Sequence, residues 1–296
     1  MTSPTPPPTA TTTDTGTNTG TGIGTTTGTG ADTGDDADSG PPRLTRLTFH
    51  GPLSEARAAR IVERVAEPLR RVPGGGTVLD LGCGWGELML RILEAAPAAT
   101  GVGVDLDADD LERGRASARA RGLDGRVVFA EESATDTARG PADVVLCLGS
   151  SHTLLPEGAP APHSADALRA LRGLVAPGGR VVLGEGFWQR TPTRDELAAM
   201  WPDAGVHEHL YAADLADAAV AAGFRPQWVE TASAAEWEEF ESAYLADTEE
   251  WLTAYPAHPR AAELRERADR HRTAWLRGYR QVLGLAYLTL IPDTAA

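Results

Sequence analysis

A length of 296 residues, with 42% hydrophobic and 23% charged residues, is typical of a globular protein of one or two domains. The formal net charge is -15 at pH 7, and every basic residue other than histidine is an arginine. A chain this acidic repels phosphate backbones, which argues against a nucleic-acid partner. No run approaches the roughly 18 apolar residues of a membrane helix, which argues against a membrane partner.

The cysteine content and the N-terminus indicate the compartment. The two cysteines, Cys83 and Cys147, are too few for a disulfide framework or a zinc cluster. The chain does not start with basic residues followed by an apolar run, which argues against a signal peptide. We therefore predict a cytoplasmic protein.

Residues 1–42 are a low-complexity segment of Thr, Gly, Pro and Asp. Such a segment cannot bury enough apolar surface to offset the entropy lost on ordering, so we predict a disordered tail. The folded domain is predicted over residues 43–296. It starts with a helix over residues 54–71, because Ser54 suits an N-cap and the apolar residues that follow recur at helical spacing.

Strands and helices then alternate along the chain. Strands are predicted at residues 78–81, 100–104, 127–130, 142–148 and 180–183. Helices are predicted from the glycine-rich segment after the first strand to about residue 96, and at residues 108–121 and 164–175. This alternation predicts a parallel sheet with helices on both faces, the doubly wound α/β class.

The last third has a different pattern. A helix at residues 212–222 and a strand at 224–231 precede two helical segments, at 233 to about 254 and 260 to about 278. A final strand at 282–291 makes residues 233–280 a helical insertion in the last hairpin. The first insertion helix is rich in Glu and the second in Arg, so the two should attract each other. Their aromatic residues indicate either core packing or a lid over a substrate site.

Residues 78–86 read VLDLGCGWG, between a predicted strand and a predicted helix. Glycines allow a tight turn and close approach to a ligand, and the helix that follows presents free N–H groups. About 20 residues later Asp105 ends the second strand, where a carboxylate can bind ribose hydroxyls. The glycines follow G-x-G-x-G rather than the dinucleotide pattern G-x-G-x-x-G, since Glu87 follows Gly86. Asp80 would oppose a pyrophosphate but could accept hydrogen bonds from an ammonium group.

Taken in order, the segments around these strands resemble the five motifs of class I S-adenosylmethionine (SAM)-dependent methyltransferases. The resemblance covers about residues 54–186. It implies a Rossmann-like fold with a seven-stranded, mostly parallel, doubly wound sheet, here with the helical insertion before the last strand. It also implies SAM as cofactor and a methyl acceptor, for which the acidic charge and the aromatic insertion favour a small molecule.

The resemblance further implies a set of cofactor-binding residues. Those assigned to the glycine loop, the methionine part and the transferred methyl group are Asp80, Gly82, Cys83, Gly84, Gly86, Cys147, Leu148 and Gly149. Asp105 would bind the ribose hydroxyls, and Leu106 would pack against the adenine. Family members often have Asp at the adenine-contacting position, where this chain has Ser133, or Glu132 if the register shifts by one residue.

Candidate catalytic residues follow the fourth and fifth strands, where open α/β sheets bind ligands. His152 titrates near neutral pH, as a general base should, and Glu185 lies between two glycines that leave room for a ligand. Glu230 is a weaker candidate at the end of the sixth strand. His207 and His209 have metal-binding spacing, but nothing nearby completes a site, so we expect a polar loop and no metal.

Three functions remain open from the sequence. The first is methyl transfer to a small molecule through an O, N, S or C atom. The second is a nicotinamide-dependent oxidoreductase, suggested by the general strand, glycine, helix and acid pattern. The third is a SAM-binding fold that does not transfer methyl groups. The sequence does not indicate the oligomeric state.

Overall fold

The computed structural model describes residues 40–293. The predicted tail, residues 1–42, lies outside this range except for its last three residues. No helix between residues 40 and 293 is both long and apolar enough to cross a bilayer.

A central sheet contains seven strands. They are β1 (Thr77–Leu81), β2 (Thr100–Asp105), β3 (Val127–Glu131), β4 (Ala142–Leu148), β5 (Val175–Trp188), β6 (Phe224–Thr231) and β7 (Leu283–Pro292). Their order across the sheet is β3-β2-β1-β4-β5-β7-β6. Only β7 runs antiparallel to its neighbours, β5 and β6. The predicted mostly parallel, seven-stranded sheet is therefore confirmed.

Helices cover both faces of the sheet. They are α1 (Glu55–Leu69), α2 (Glu87–Ala95), α3 (Ala108–Ala120), α4 (Ser164–Leu174), α5 (Arg194–Ala199), α6 (Ala212–Ala221), α7 (Ala234–Ala254) and α8 (Ala261–Thr273). A 3₁₀ turn (Ser151–Leu154) follows β4, and a π-helical turn (Ala274–Tyr279) follows α8. One core cluster joins the sheet to α1, α2 and α3, and a second joins it to α4 and α6. The fold is thus doubly wound, as predicted.

Strand β5 is longer than the prediction of residues 180–183. It begins at Val175, which the sequence placed in the preceding helix. The predicted turn between Val175 and Arg180 forms a bulge in the strand instead, opposite Ala142 and Val144 of β4. It continues to Trp188 because β7 pairs with every residue from Val181 onward. Helix α5 was not predicted, although Thr193 and Glu196 form the capping box that starts it.

The helical insertion lies where it was predicted, between β6 and β7. Since β6 is parallel to β1–β5, the insertion begins at the carboxyl edge of the sheet, the edge that also carries the glycine loop after β1. The expected attraction between its two halves takes the form of ion pairs from Arg272 to Glu249 and from Arg280 to Glu238. The insertion is therefore held together beside the predicted site.

Residues 40–53, which we call the strap, cross the carboxyl edge without regular secondary structure. Arg43 forms two hydrogen bonds with Asp107, of 3.0 and 2.6 Å, next to β2. On the other side, Thr45 donates its backbone N–H and its hydroxyl to Asp247 of α7, at 2.6 and 2.7 Å. The strap therefore ties the insertion to the sheet across the glycine loop.

Candidate functional site

The glycine loop after β1 contains two glycines that the packing of the protein itself requires. A Cβ atom on Gly82 would lie 2.4 Å from the Cβ of Ser150, and one on Gly86 would lie 2.7 Å from the Phe129 ring. Both residues also have positive φ, of 62° and 65°. These contacts bring the loop against β4 on one side and β3 on the other.

Two other glycines are less tightly enclosed. A Cβ atom on Gly84 would come no closer than 3.6 Å to any atom, and one on Gly149 would have nothing within 4 Å. Both have positive φ, of 52° and 71°. Gly84 follows β1 and Gly149 follows β4, and these strands are neighbours in the sheet. Open space therefore exists at the carboxyl end of β4, beside the backbone of Gly149, whereas Gly84 lies in contact distance of His50 and Asp110.

Asp105, at the end of β2, faces the same loop. Its Oδ2 accepts a hydrogen bond from the backbone N–H of Gly84 at 2.7 Å. Its Oδ1 accepts from the N–H groups of Leu106 and Asp107, at 2.7 and 3.0 Å. A carboxylate has about four lone-pair positions, so one remains for a ligand hydroxyl. Backbone donors thus fix this carboxylate in place, as a ribose-binding acid requires.

Asp80 lies one strand away, near the end of β1. It is 5% exposed, and its side chain has no hydrogen-bond partner among residues 40–293. Burial raises the pKa of Asp80 to about 8, with a further contribution from the charge of Asp105. A carboxyl that is largely shielded from water and has no protein donor is a favourable partner for a ligand ammonium group. The residues present therefore fit the amino group and ribose of SAM.

The remaining predicted cofactor residues differ in accessibility. Leu106 is 66% exposed at the end of β2, so its side chain is free to contact a planar base. Glu132 forms two hydrogen bonds with Arg139, of 2.9 and 2.7 Å, and the hydroxyl of Ser133 accepts one from Thr135 N at 3.1 Å. Either side chain would have to accept a hydrogen bond from an adenine amino group in addition to the bonds that it already accepts.

Both predicted cysteines are packed into the protein. Cys83 places its sulfur 2.8 Å from where a Gly103 Cβ atom would lie, against β2. Cys147 belongs to the core between the sheet and α4, and burial raises its pKa to about 12. Their side chains are therefore directed inward, which leaves their backbone for a ligand. Leu148 is half-buried beside them.

The two predicted catalytic residues lie at the carboxyl ends of β4 and β5. His152 is in the 3₁₀ turn, and burial lowers its pKa, with a smaller contribution from His163. Glu185 is 7% exposed and accepts a hydrogen bond from the Ser164 hydroxyl at 3.0 Å. Burial raises the pKa of Glu185 to about 7. The site thus contains a neutral imidazole and a carboxyl that ionises near neutral pH.

The expected polar loop at His207 and His209 is correct only for His207, which is exposed. His209 packs edge-on against Trp188, and its Nε2 is buried without a hydrogen-bond partner among the described residues. Burial lowers the pKa of His209 to about 4, although a hydrogen bond with the backbone of Gly186 acts to raise it. The alternation of side chains along β5 does not predict that His209 packs against Trp188 of this strand.

Residues 40–293 contain no cluster of metal-ligating side chains that could hold an ion. Glu230, the weaker candidate, lies in ion pairs with Arg57, Arg60 and Arg64 of α1. It therefore joins β6 to α1 instead of facing the glycine loop.

The insertion and the strap meet above the glycine loop. Phe240 of α7 is 2% exposed and packs in one cluster with Leu44, Leu47 and Trp85. Trp85 belongs to the glycine loop and donates its indole N–H to the carbonyl of Thr48 at 2.8 Å. These aromatic side chains thus belong to a packed hydrophobic cluster that covers one side of the glycine loop.

Comparison with known proteins identifies a domain. A family profile described as a methyltransferase domain matches residues 79–181, from β1 through the first half of β5. This range contains the glycine loop, Asp105 and the end of β4. The match lends no support to the nicotinamide-dependent oxidoreductase.

Whole-chain comparisons agree with that fold. The Escherichia coli (strain K12) protein YjhP is 28% identical over 218 residues, which cover 73% of this chain and 83% of YjhP. Its X-ray structure aligns with a TM-score of 0.69 and 23% identity, over 85% of this chain and all of that one (100%). A SAM-dependent methyltransferase from Geobacter sulfurreducens, in complex with S-adenosyl-L-homocysteine, aligns with a TM-score of 0.69 and 23% identity, over 86% and 99%.

The same fold also occurs with another chemistry. The [4+2]-cyclase SpnF aligns with a TM-score of 0.57 and 22% identity, over 81% of this chain and 83% of SpnF. The fold by itself therefore does not establish which reaction the site performs. The reaction depends on the residues at the carboxyl edge of the sheet.

Proposed function

We propose that this chain, which belongs to the class I SAM-dependent methyltransferases, transfers the methyl group of SAM to a small-molecule acceptor. One observation carries the proposal. Asp80 and Asp105 flank the glycine loop at the ends of adjacent strands, and the first is a buried acceptor without a donor. Beside them, Gly149 leaves open space at the end of β4.

The cover over the site supports a small acceptor. The strap and α7 pack against Trp85 of the glycine loop, which is 3% exposed. Hydrogen bonds from Arg43 to Asp107 and from Thr45 to Asp247 hold this cover on both sides. A folded macromolecule would have to displace this cover to reach the glycine loop, which favours a small acceptor. The net charge of -15 disfavours nucleic acid for a separate reason.

Each side chain has a role in the proposed reaction. SAM supplies an activated methyl group on its sulfonium, and the protein must mainly hold and orient the reactants and exclude water. Asp80 binds the amino group and Asp105 the ribose hydroxyls. His152, kept neutral by burial, receives a proton from the acceptor as it is methylated. Glu185 binds or orients the acceptor at the end of β5.

The test is calorimetric titration of the protein with S-adenosylhomocysteine and, separately, with NADH. We expect saturable binding of the first ligand alone. Asp105→Ala should weaken it by about 10- to 150-fold, the value of a hydrogen bond to a charged acceptor. Asp124→Ala, which removes an exposed carboxylate in the turn between α3 and β3, serves as the matched control and should leave affinity unchanged.

Methyl transfer needs its own measurement. Incubation with labelled SAM and a broad panel of metabolites should yield a methylated product. Binding of S-adenosylhomocysteine without any product would favour a SAM-binding fold that performs another reaction. Binding of NADH alone would refute the assignment of the cofactor.

The raised pKa of Asp80 predicts a proton release. With a pKa of about 8, this carboxyl is mostly protonated at pH 7. An ammonium group beside it favours the charged form and lowers the pKa. Binding of S-adenosylhomocysteine at pH 7 should therefore release about one proton, measured as the dependence of the calorimetric heat on the ionisation enthalpy of the buffer. Asp80→Asn should abolish this dependence; its persistence would assign the proton to another group.

A further inference from the structure

An imidazole from the strap lies directly against the glycine loop. The His50 ring stacks on Trp85, with 5.1 Å between ring centroids and 14° between planes. Its Nδ1 is 3.6 Å from the point where a Cβ atom on Gly84 would lie. The ring therefore occupies the side of the loop where Gly84 lacks a side chain.

Neither nitrogen of His50 has a protein hydrogen-bond partner in the described part of the chain. Its Nε2 is buried without a partner, and its Nδ1 is 3.9 Å from the nearest carboxylate oxygen, on Asp110. A buried polar atom left without a hydrogen-bond partner is unfavourable. Proteins retain such an atom where a ligand or a water satisfies it.

The surroundings keep this ring neutral. Burial and, to a smaller extent, the guanidinium of Arg43 lower the pKa of His50 to about 4, although the carboxylates of Asp105 and Asp107 act to raise it. A neutral imidazole forms a hydrogen bond without adding a charge next to a sulfonium cofactor. Arg43 and its hydrogen bonds to Asp107 also fix the strap, and with it the position of the ring.

We propose that His50 is a cofactor-binding residue whose unpaired imidazole forms a hydrogen bond with the amino-acid half of SAM. This inference rests on the proposed function. Its basis is position: His50 lies at Gly84, in the part of the loop assigned to the methionine portion, whereas the ribose acid Asp105 lies at the end of β2. The strap therefore supplies part of the cofactor site from outside the methyltransferase profile, residues 79–181.

The test compares two ligands that differ in the amino-acid half. S-adenosylhomocysteine has it, and 5′-methylthioadenosine has the same nucleoside and thioether without it. His50→Phe keeps an aromatic ring for stacking on Trp85 but removes both nitrogens. We expect about 10- to 150-fold weaker binding of S-adenosylhomocysteine, as for a hydrogen bond to a charged group, and less than a twofold change for 5′-methylthioadenosine.

Two further variants sharpen the comparison. His50→Gln, which retains a terminal polar group, should recover part of the lost affinity. His207→Phe, at an exposed histidine outside the site, should change neither ligand. An equal loss for both ligands in His50→Phe, or no loss for either, would overturn the inference while leaving the proposed function intact. Wild-type protein that does not bind S-adenosylhomocysteine would overturn both.

Discussion

His152→Ala should slow methyl transfer by about 10²- to 10⁴-fold, the usual contribution of a positioned general base. His152 lies in the 3₁₀ turn that follows β4, close in sequence to Gly149, where a Cβ atom would meet open space. Burial lowers its pKa, so the ring is neutral and able to take a proton at physiological pH. Turnover is measured with the acceptor found in the metabolite panel, and affinity for S-adenosylhomocysteine should stay within about twofold, because the residue is proposed to contact the acceptor and not the cofactor.

The control for this variant is His207→Ala, which truncates an exposed histidine. His209→Ala tests the alternative that His209 is the general base, because the Nε2 of His209 is also buried and without a partner among residues 40–293. A normal rate in His152→Ala together with a slow rate in His209→Ala would move the role of base to His209. Equal loss of cofactor affinity and turnover in His152→Ala would place the residue at the cofactor instead.

Glu241→Ala should lower the free energy of unfolding by about 1–3 kcal/mol, the effect of leaving buried hydrogen-bonding groups without their partner. Glu241 of α7 is fully buried (0% exposed). It accepts a hydrogen bond from the Tyr279 hydroxyl at 2.8 Å and lies 2.7 Å from Nε2 of His271. The substitution leaves both of these groups without their partner inside the insertion.

Glu238→Ala is the matched control for this effect. Glu238 is one turn away on the same helix and pairs with Arg280, but both side chains are about half exposed. Exposed ion pairs contribute about 0–1 kcal/mol. Urea unfolding followed by circular dichroism measures both variants. Similar losses in the two would contradict the view that the buried carboxylate holds α7 to α8 and the π-helical turn.

Local pattern was sufficient for most elements of the fold. Helix α1 begins at its predicted cap, since Ser54 Oγ accepts from Arg57 N at 3.3 Å. The errors occur where pairing between distant strands overrides the local pattern. Gly184 and Gly186 interrupt the apolar run of β5, yet pairing with β7 extends the strand to Trp188. Alternation of side chains cannot reveal such a partner, which lies about a hundred residues away in the sequence.

The candidate site also contains some residues that the sequence placed correctly and others that it did not. Glycines and acids of the β1 loop and of β2 are close in sequence to the strands that present them, so motif spacing placed Asp80 and Asp105 correctly at the ends of adjacent strands. His50 and His209 reach the same edge from the strap and from the segment before α6. Nothing in their local sequence distinguishes them from surface histidines.

By itself, the sequence determined the doubly wound fold, the glycine loop and the carboxylates beside it, because these follow from short-range periodicity and from turns that only glycine allows. Tertiary structure decided which side chains are buried without a partner. Packing of the strap and the insertion on Trp85 put His50 against the loop, and pairing of β5 with its neighbours put His209 beside Gly186. Burial and hydrogen bonding depend on contacts between distant segments, and these contacts set the protonation state on which the proposed chemistry depends.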